Sequence, residues 1–414
     1  MFSAQLLSAG DIAPGDWERC MPGEAEGQAY YAACEGAPPQ GFELSAVAVF
    51  GMEPGPPGPR TLRFAASPPP TAPVSLKGEP EGSRSGRLVA VCPVFRLDYN
   101  LATAVQGGLR RAADAVAKLF PRLLHLSLIG LGSPVGERCH IGFAPGLDDS
   151  QKREVLLAML DALAVEAKRH KIGMLGIKDL AETDNRLLAT TLKSRGFTHV
   201  NSLPVAVLDL AGGGEDGYFA RLSPAMRKDL RRKLKKSDSL QIEQRVSIDG
   251  IEAQIDALFH ATRENSALDY GAFEDLPPGY FARIMQALGP RAFLMLYYAE
   301  GELAAFNLML RDDTRLIDKF WGMRRDLARR HDLYFISWMA NVRLCLAQNI
   351  PLLQTGQTAY AAKLRLGSRL VPSHVWFRHR NFVLDRMLRL LARFIAYDQM
   401  DPDLKALAQG KPKP

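Results

Sequence analysis

The spacing of apolar residues divides the chain into alternating strands and helices. RLVAVCPVFRLDY (87–99) alternates as a β-strand does, a helical stretch follows to about residue 119, and LLHLSLIGLGSP (123–134) reads as a buried strand leaving through a glycine-rich turn. From about Asp149 to Arg169, apolar residues at Val155, Leu156, Leu160, Leu163 and Ala164 predict a long amphipathic helix. IGMLGIKDL (172–180) and VNSLPVAVLDL (200–210) read as strands flanking the helix DNRLLATTLKSRGF. AGGGEDG (211–217) has the composition of a linker. Past it the pattern restarts with a basic helix (218–237), a helix at 249–265 and another near 280–288. The strands RAFLMLYYA, ELAAFNLMLR and TRLIDKFWGM, a helix (332–348), the strand IPLLQTG and the closing segment SHVWFRHR complete this half.

Strand and helix alternation in both halves predicts an α/β (α+β) fold. The expected partition is a domain at 1–210, a linker at 211–217, a domain at 218–398 ending in an amphipathic helix, and a flexible tail at 399–414. Residues 52–88, dense in Pro, Gly and Ser, are expected to form a mobile loop within the first domain. The length of 414 residues agrees, since it exceeds the span of one hydrophobic core.

Apolar residues make up 47% of the chain and charged residues 23%, the balance of a globular protein. No run approaches the roughly 18–20 apolar residues that a membrane-spanning helix needs. MFSAQLLSAGDIAPGDWERC carries no basic start, apolar core or cleavage site of a secretory signal, so a cytoplasmic chain is expected. Five scattered cysteines with no C-x-x-C pair read as reduced, and no metal-ligand spacing is found. G-x-S-x-G, G-x-x-x-x-G-K-[ST] and G-x-G-x-x-G are all absent, which removes serine hydrolase, nucleotide hydrolase and dinucleotide oxidoreductase readings. The formal charge of +7 suggests an anionic partner: a nucleic acid, a phosphorylated cofactor or an acidic lipid surface.

Two segments carry a family resemblance: YFARLSPAMRKDLRRKLKKS (218–237) and LLQTGQTAYAAKLRLGSRLVPSHVWFR (352–378). The first has Tyr-Phe, an Arg after a Ser-Pro turn and a string of cations; the second has Gly356, Lys363, Leu366, Gly367 and Pro372 in sequence. Together they resemble the FemAB-like acyltransferases, tandem proteins of the GNAT (acyl-CoA N-acyltransferase) superfamily. The resemblance implies two tandem GNAT-like domains, each a mixed twisted sheet flanked by helices, an active cleft beside the basic helix, and transfer of an acyl group from acyl-CoA or an acyl carrier protein to a primary amine, with no covalently bound cofactor. As a second reading it implies the aminoacyl-tRNA-dependent peptidyltransferases of the same group, the one setting in which a nucleic acid partner is expected, although the coiled-coil arm often seen in those enzymes is not apparent here. A catalytically silent binding protein is a third reading.

One departure stands out. Where GNAT enzymes commonly present a glycine pair to the CoA pyrophosphate at a helix N-terminus, GMRRDLARRHD (322–332) offers Arg324, Arg325, Arg329 and Arg330 instead. These four are candidates to hold the donor's phosphates, joined by Arg227 and Arg231 of the basic run, which otherwise reads as a solvated helix. Acyl transfer to an amine needs a proton acceptor, a donor for the developing oxyanion, and alignment. Lys363 is a candidate for the second task and Tyr360 for general acid at the leaving thiol, although Lys363 could simply pair with a carboxylate. Candidate bases are Glu264, Asp269, Glu274, Asp318 and His374, and Gln357, Thr358, Tyr270 and Trp321 form the expected substrate contacts. Asp318 and Lys319 must point to opposite faces of their strand.

NFVLDRMLRLLARFIAYD (381–398) sets Leu384, Met387, Leu388, Leu391, Phe394 and Ile395 against Arg386, Arg389 and Arg393. That pattern fits packing on the core or peripheral contact with the inner face of a membrane. On the membrane reading a long-chain lipid amine, such as a sphingoid base converted to a ceramide, becomes the natural acceptor.

Overall fold

The computed structural model describes residues 2–51, 86–100, 125–264, 275–392 and 401–409. Most of the Pro/Gly-rich loop, the helical stretch before residue 119, and Asp269, Tyr270 and Glu274 lie outside them. The first half contributes β1 (Phe2–Leu7), α1 (Pro14–Cys20), α2 (Gln28–Glu35), β2 (Phe42–Gly51), β3 (Arg87–Asn100), β4 (His125–Leu131), β5 (Gly142–Phe143), α3 (Asp149–Arg169), β6 (Met174–Ala181), α4 (Glu182–Ser194), β7 (Thr198–Asn201) and β8 (Val205–Asp209). The second contributes α5 (Gly214–Arg221), α6 (Pro224–Leu234), β9 (Leu240–Arg245), α7 (Glu252–Glu264), α8 (Tyr280–Leu288), β10 (Ala292–Ala299), β11 (Glu302–Arg311) and β12 (Arg315–Met323). It continues with α9 (Arg325–Arg330), α10 (Leu333–Ala347), β13 (Leu352–Gln354), α11 (Tyr360–Arg365), β14 (Arg369–Val371), β15 (Ser373–His379), α12 (Phe382–Ala392) and α13 (Pro402–Ala408).

Local chemistry sets several boundaries. α3 opens on a reciprocal cap in which Asp148 accepts from the Gln151 N–H at 2.8 Å and Gln151 accepts from the Asp148 N–H at 2.9 Å. The basic segment expected as one helix is two, because Ser223 caps a new helix at the Met226 N–H and Pro224 occupies its first turn. α5 begins at Gly214 and so takes up half of the expected linker. Residues 402–408, expected within a flexible tail, form α13, and its Asp403 accepts from the Ala361 N–H of α11 at 2.8 Å.

The strands assemble into two mixed sheets. The first has the order β1-β2-β3-β4-β6-β15-β7 with β5 attached to β3; the second runs β14-β8-β13-β12-β11-β10-β9. Two segments therefore lie in the opposite sheet from the one the sequence reading expects. VNSLPVAVLDL breaks at Pro204, leaving β7 in the first sheet and sending β8 into the second between β13 and β14. SHVWFRHR does not close the second sheet; after Pro372 it returns as β15 to the first, between β6 and β7. A proline marks each crossing because it has no N–H to continue a ladder. The two crossings are tied by the Ser202 N–H, which donates to the Ser373 carbonyl at 2.9 Å.

The halves also share a core. Trp17, Tyr30, Ala46 and Val91 of the first belong to one buried cluster with Ile255, Phe281, Leu294 and Phe306 of the second. No described helix is long and apolar enough to cross a membrane.

Candidate active site

The second sheet opens at its centre. β12 and β13 pair in parallel over three positions, ending at Ile317 opposite Gln354, while β12 continues along β11 as far as Met323. The chain after β13 follows β8 instead: the Thr355 N–H donates to the Ala206 carbonyl and the Ala206 N–H to the Gly356 carbonyl. In the first half, β4 and β6 also pair in parallel, up to Leu131 opposite Ile177. There the opening is refilled by the chain itself, since Cys139 bridges to Leu180 and Lys178 donates to the Gly136 carbonyl at 3.1 Å. Among the described residues, only the second half keeps this parting unfilled by a strand.

Asp318 stands at the mouth of the gap. A β-bulge opposite Leu308 and Met309 inserts Lys319 as an extra residue, so Asp318 and Trp321 share one face of β12 while Lys319 points to the other. Asp318 accepts from Asn307 Nδ2 of β11 at 2.8 Å and from Asn341 Nδ2 of α10 at 3.2 Å. Around it, the Trp321 Nε1, Tyr297 hydroxyl, Tyr334 hydroxyl, Asn307 Oδ1 and Asn341 Oδ1 are buried with no hydrogen-bond partner among the described residues. Unpaired buried polar groups are costly and rare, so these five are candidates for contact with a polar ligand.

Burial pushes the Asp318 carboxyl up to about 6, against the hydrogen bond from Asn307 and the attraction of Lys363. Burial also pulls the Lys363 ammonium down to about 8, opposed by Glu137 and Asp318. Lys363 donates to the Thr355 carbonyl. Glu137 reaches in from the glycine-rich loop of the first half, where burial raises its carboxyl and Gln354 Nε2 donates to it at 2.7 Å. Gly356, at φ +79°, passes over this pair; a Cβ there would lie 3.0 Å from Glu137 Oε1 and 3.7 Å from Lys363 Nζ.

Behind the sheet a second polar layer joins the halves. Lys319 donates to Glu26 at 2.5 Å, and Arg315 bridges Asp312, Gln354 and Glu24. Tyr30 and Tyr280 share a hydrogen bond at 2.9 Å, as do Tyr31 and His140 Nδ1 at 2.6 Å. Glu24, Glu26 and His140 place their ligand atoms within 4.8 Å of one another, but Arg315 and Lys319 already satisfy the two carboxylates, so a metal would have to displace both cations.

The structure sorts the residues singled out from the sequence. Asp318, Lys363 and Trp321 come together at the gap. Tyr360, fully buried, donates its hydroxyl to the Pro204 carbonyl at 2.9 Å, and Gln357 Nε2 donates to the Leu203 carbonyl at 2.8 Å; both pin the β7–β8 crossing. Thr358 is exposed. His374 lies in the first sheet, bonded to Glu182 at 2.5 Å and to His199 at 2.9 Å, and Glu264 is exposed at the end of α7. Arg227 donates to the Ala220 and Leu222 carbonyls, Arg324 pairs with Glu302 and Asp326, and Arg330 pairs with Glu300 at 2.7 Å. Arg325 and Arg329 are exposed, and Arg231 lies over the Phe219 ring in a surface depression of about 540 Å³. The arginines after β12 thus form no single cradle for phosphates.

Missing from the sequence reading were Glu137, Asn307, Asn341, Tyr297 and Tyr334. Asn307 and Asn341 had a signal, since each interrupts an apolar run, in ELAAFNLMLR and LYFISWMANVRLCLA. Glu137 had none, because nothing in its loop announces a contact 217 positions away.

The comparisons with known proteins bear on this tandem architecture. A model of the acetyltransferase (GNAT) domain matches residues 224–364, the stretch that contains Asp318, Trp321 and Lys363. Among solved structures, FemX is similar over 87% of this chain and 93% of its own, with a TM-score of 0.50 and 14% identity. A tandem GNAT protein from the clavulanic acid biosynthesis pathway is similar over 92% of this chain and 99% of its own, again at 0.50 and 14%. No curated protein matches the chain by sequence. The second half thus matches a GNAT acetyltransferase domain, and the chain as a whole has a tandem GNAT-like fold.

Proposed function

We propose that the gap beside Asp318 transfers an acyl group from a thioester, acyl-CoA or an acyl carrier protein, to a primary amine. The carrying observation is a buried carboxyl with a pKa near 6, facing unpartnered hydrogen-bonding atoms where β12 and β13 separate. The amine nitrogen attacks the thioester carbonyl, forming the C–N bond; the C–S bond breaks and the thiolate leaves. Asp318 takes the proton lost by the amine, being ionised at neutral pH yet basic enough to hold it. Lys363 and the indole N–H of Trp321 offer donors to the oxyanion, and no acyl-enzyme is needed.

A long-chain lipid amine such as a sphingoid base is the acceptor this reading favours, met in the cytoplasm at the inner face of a membrane through residues 381–398. The test is binding of acetyl-CoA and palmitoyl-CoA by calorimetry, followed by thioester consumption with sphinganine. Saturable palmitoyl-CoA binding with amide formation is expected. Salt-sensitive binding of aminoacyl-tRNA without thioester binding would overturn the reading in favour of the peptidyltransferase alternative, for which the exposed Lys228, Arg231 and Arg232 of α6 supply the charge.

A further inference from the structure

The turn after α4, the end of β15 and the start of α12 enclose a depression of about 400 Å³ lined by Arg195, Arg378, Arg380, Arg389, Phe382 and Asp385. Two of its four guanidiniums are neutralised: Arg195 pairs with Asp161 at 3.2 Å and Arg389 with Asp385 at 2.6 Å. Arg378 and Arg380 have no carboxylate partner among the described residues. Each spends donors on backbone carbonyls, Arg378 on Arg195 and Arg380 on Ala167 and Ile172, which fixes both guanidiniums at the rim. Holding cations together without counter-charge is unfavourable unless an anion completes the set.

The outward side of α12 beside this pocket is apolar. Phe382 is 69% exposed, Val383 72% and Leu390 64%, with Met387 at 41%. The helix buries its opposite side, where Asp385 accepts from the His379 N–H at 2.9 Å and Ala392 meets the core. Arg386 lies over the Phe382 ring at 5.5 Å, so cation and apolar surface alternate across the exposed side. A free phosphate would use the cations and leave these side chains in water. A bilayer surface uses both, with phosphate headgroups against the arginines and the Phe382, Val383 and Leu390 side chains among the upper acyl carbons.

We propose that this arginine pocket and the exposed side of α12 form one docking surface for an anionic phospholipid bilayer, the pocket receiving a headgroup phosphate. The proposal rests on the membrane contact suggested above for 381–398 and adds the site that recognises the lipid; it makes no use of the transfer chemistry.

The experiment is sedimentation of the full chain with vesicles of phosphatidylcholine, alone or with roughly one-third phosphatidylglycerol. Binding is expected only to the anionic vesicles and should weaken with salt. Arg378→Ala and Arg380→Ala should each reduce it about fivefold, the usual effect of one cation at such a surface. Because those arginines also hold backbone carbonyls, Val383→Ser/Leu390→Ser is the second arm; it changes side chains that are mostly exposed and should abolish binding with a nearly unchanged melting temperature. Equal binding to neutral vesicles, or unchanged binding by the serine variant, would overturn the proposal. So would a concentration-dependent dimer that the serine variant dissociates, which would make the face an interface between two copies. Thioester consumption with a water-soluble amine should persist in every variant; its absence in the parent protein would sink the transfer reading and leave docking standing.

Discussion

Lys319 Nζ donates to Glu26 Oε1 at 2.5 Å although the residues are 293 positions apart and both side chains are almost completely buried. The contact welds the back of the second sheet to the first half. Burial alone would raise the Glu26 carboxyl, but Lys319, His140 and Arg315 hold it below the ordinary carboxylate range. Burial likewise opposes the Lys319 ammonium, and Glu26 and Glu137 hold it above its usual value.

Removing one partner should therefore hurt more than removing both. Glu26→Gln leaves a buried ammonium without its counter-ion and should cost about 3–5 kcal/mol, whereas Glu26→Gln/Lys319→Met should recover much of that. The stabilisation from Glu26 exists above the unfolded carboxyl's pKa and is lost as pH falls through its depressed folded value. That from Lys319 exists below the unfolded ammonium's pKa and is lost as pH rises through its elevated folded value. The part of the melting temperature that this pair supplies, read as the difference between the parent and Glu26→Gln/Lys319→Met, should be flat between these limits and fall on both sides.

Asp318→Asn should lower kcat/KM by about 10²–10⁴, the usual share of a proton acceptor. In the parent, kcat/KM should decline as pH drops through about 6. Folding responds in the opposite sense. A carboxyl whose pKa is raised from 3.8 to about 6 favours the fold while protonated, and that contribution is lost as pH rises through about 6. The asparagine variant should accordingly melt higher than the parent at pH 7, with the difference vanishing below pH 3.8, as read by calorimetric scans.

Lys363→Met deprives Asp318 and Glu137 of their nearby ammonium, so both carboxyls should titrate higher. The acid limb of kcat/KM should move upward from about 6, and the plateau should fall. An unshifted limb would mean that Asp318 does not sense Lys363. In the parent the ammonium, lowered to about 8 by burial, disfavours the fold at neutral pH, and stability should rise as pH climbs through 8 toward 10.5.

Gly356→Ala places a methyl 3.0 Å from Glu137 Oε1 at a backbone φ of +79°. The left-handed conformation alone should cost about 1–2 kcal/mol in urea unfolding, and displacement of Glu137 should reduce turnover beyond what stability explains.

Much of this could be seen in the sequence because the relevant signals are local. The apolar period of 149–169 produces α3, and the spacing of Gly356, Lys363 and Pro372 marks the loop beneath the gap. Asp318 and Lys319 point apart as neighbours on a strand must, with the bulge deciding which residues join each side. Sheet membership was not legible, because β8 and β15 fit either sheet by their own pattern and only distant partners decide. The partners of Tyr360 and Gln357 were hidden for a related reason: their polar atoms bond the chain crossing at Leu203 and Pro204, a neighbour no local spacing announces. Glu137 belongs with them, a first-half carboxylate whose meaning lies in the second half.

The exchange of β15 into the first sheet bears on how the protein is made. During synthesis residues 1–210 emerge with β6 and β7 lacking the strand that should lie between them, and the missing piece is translated more than 160 residues later. Two unsatisfied strand edges must wait through that interval, the kind of opening that invites mispairing with other chains. The ribosome thus releases a first half that cannot close until the second is nearly finished, so the gap beside Asp318 and the body that supports it mature together.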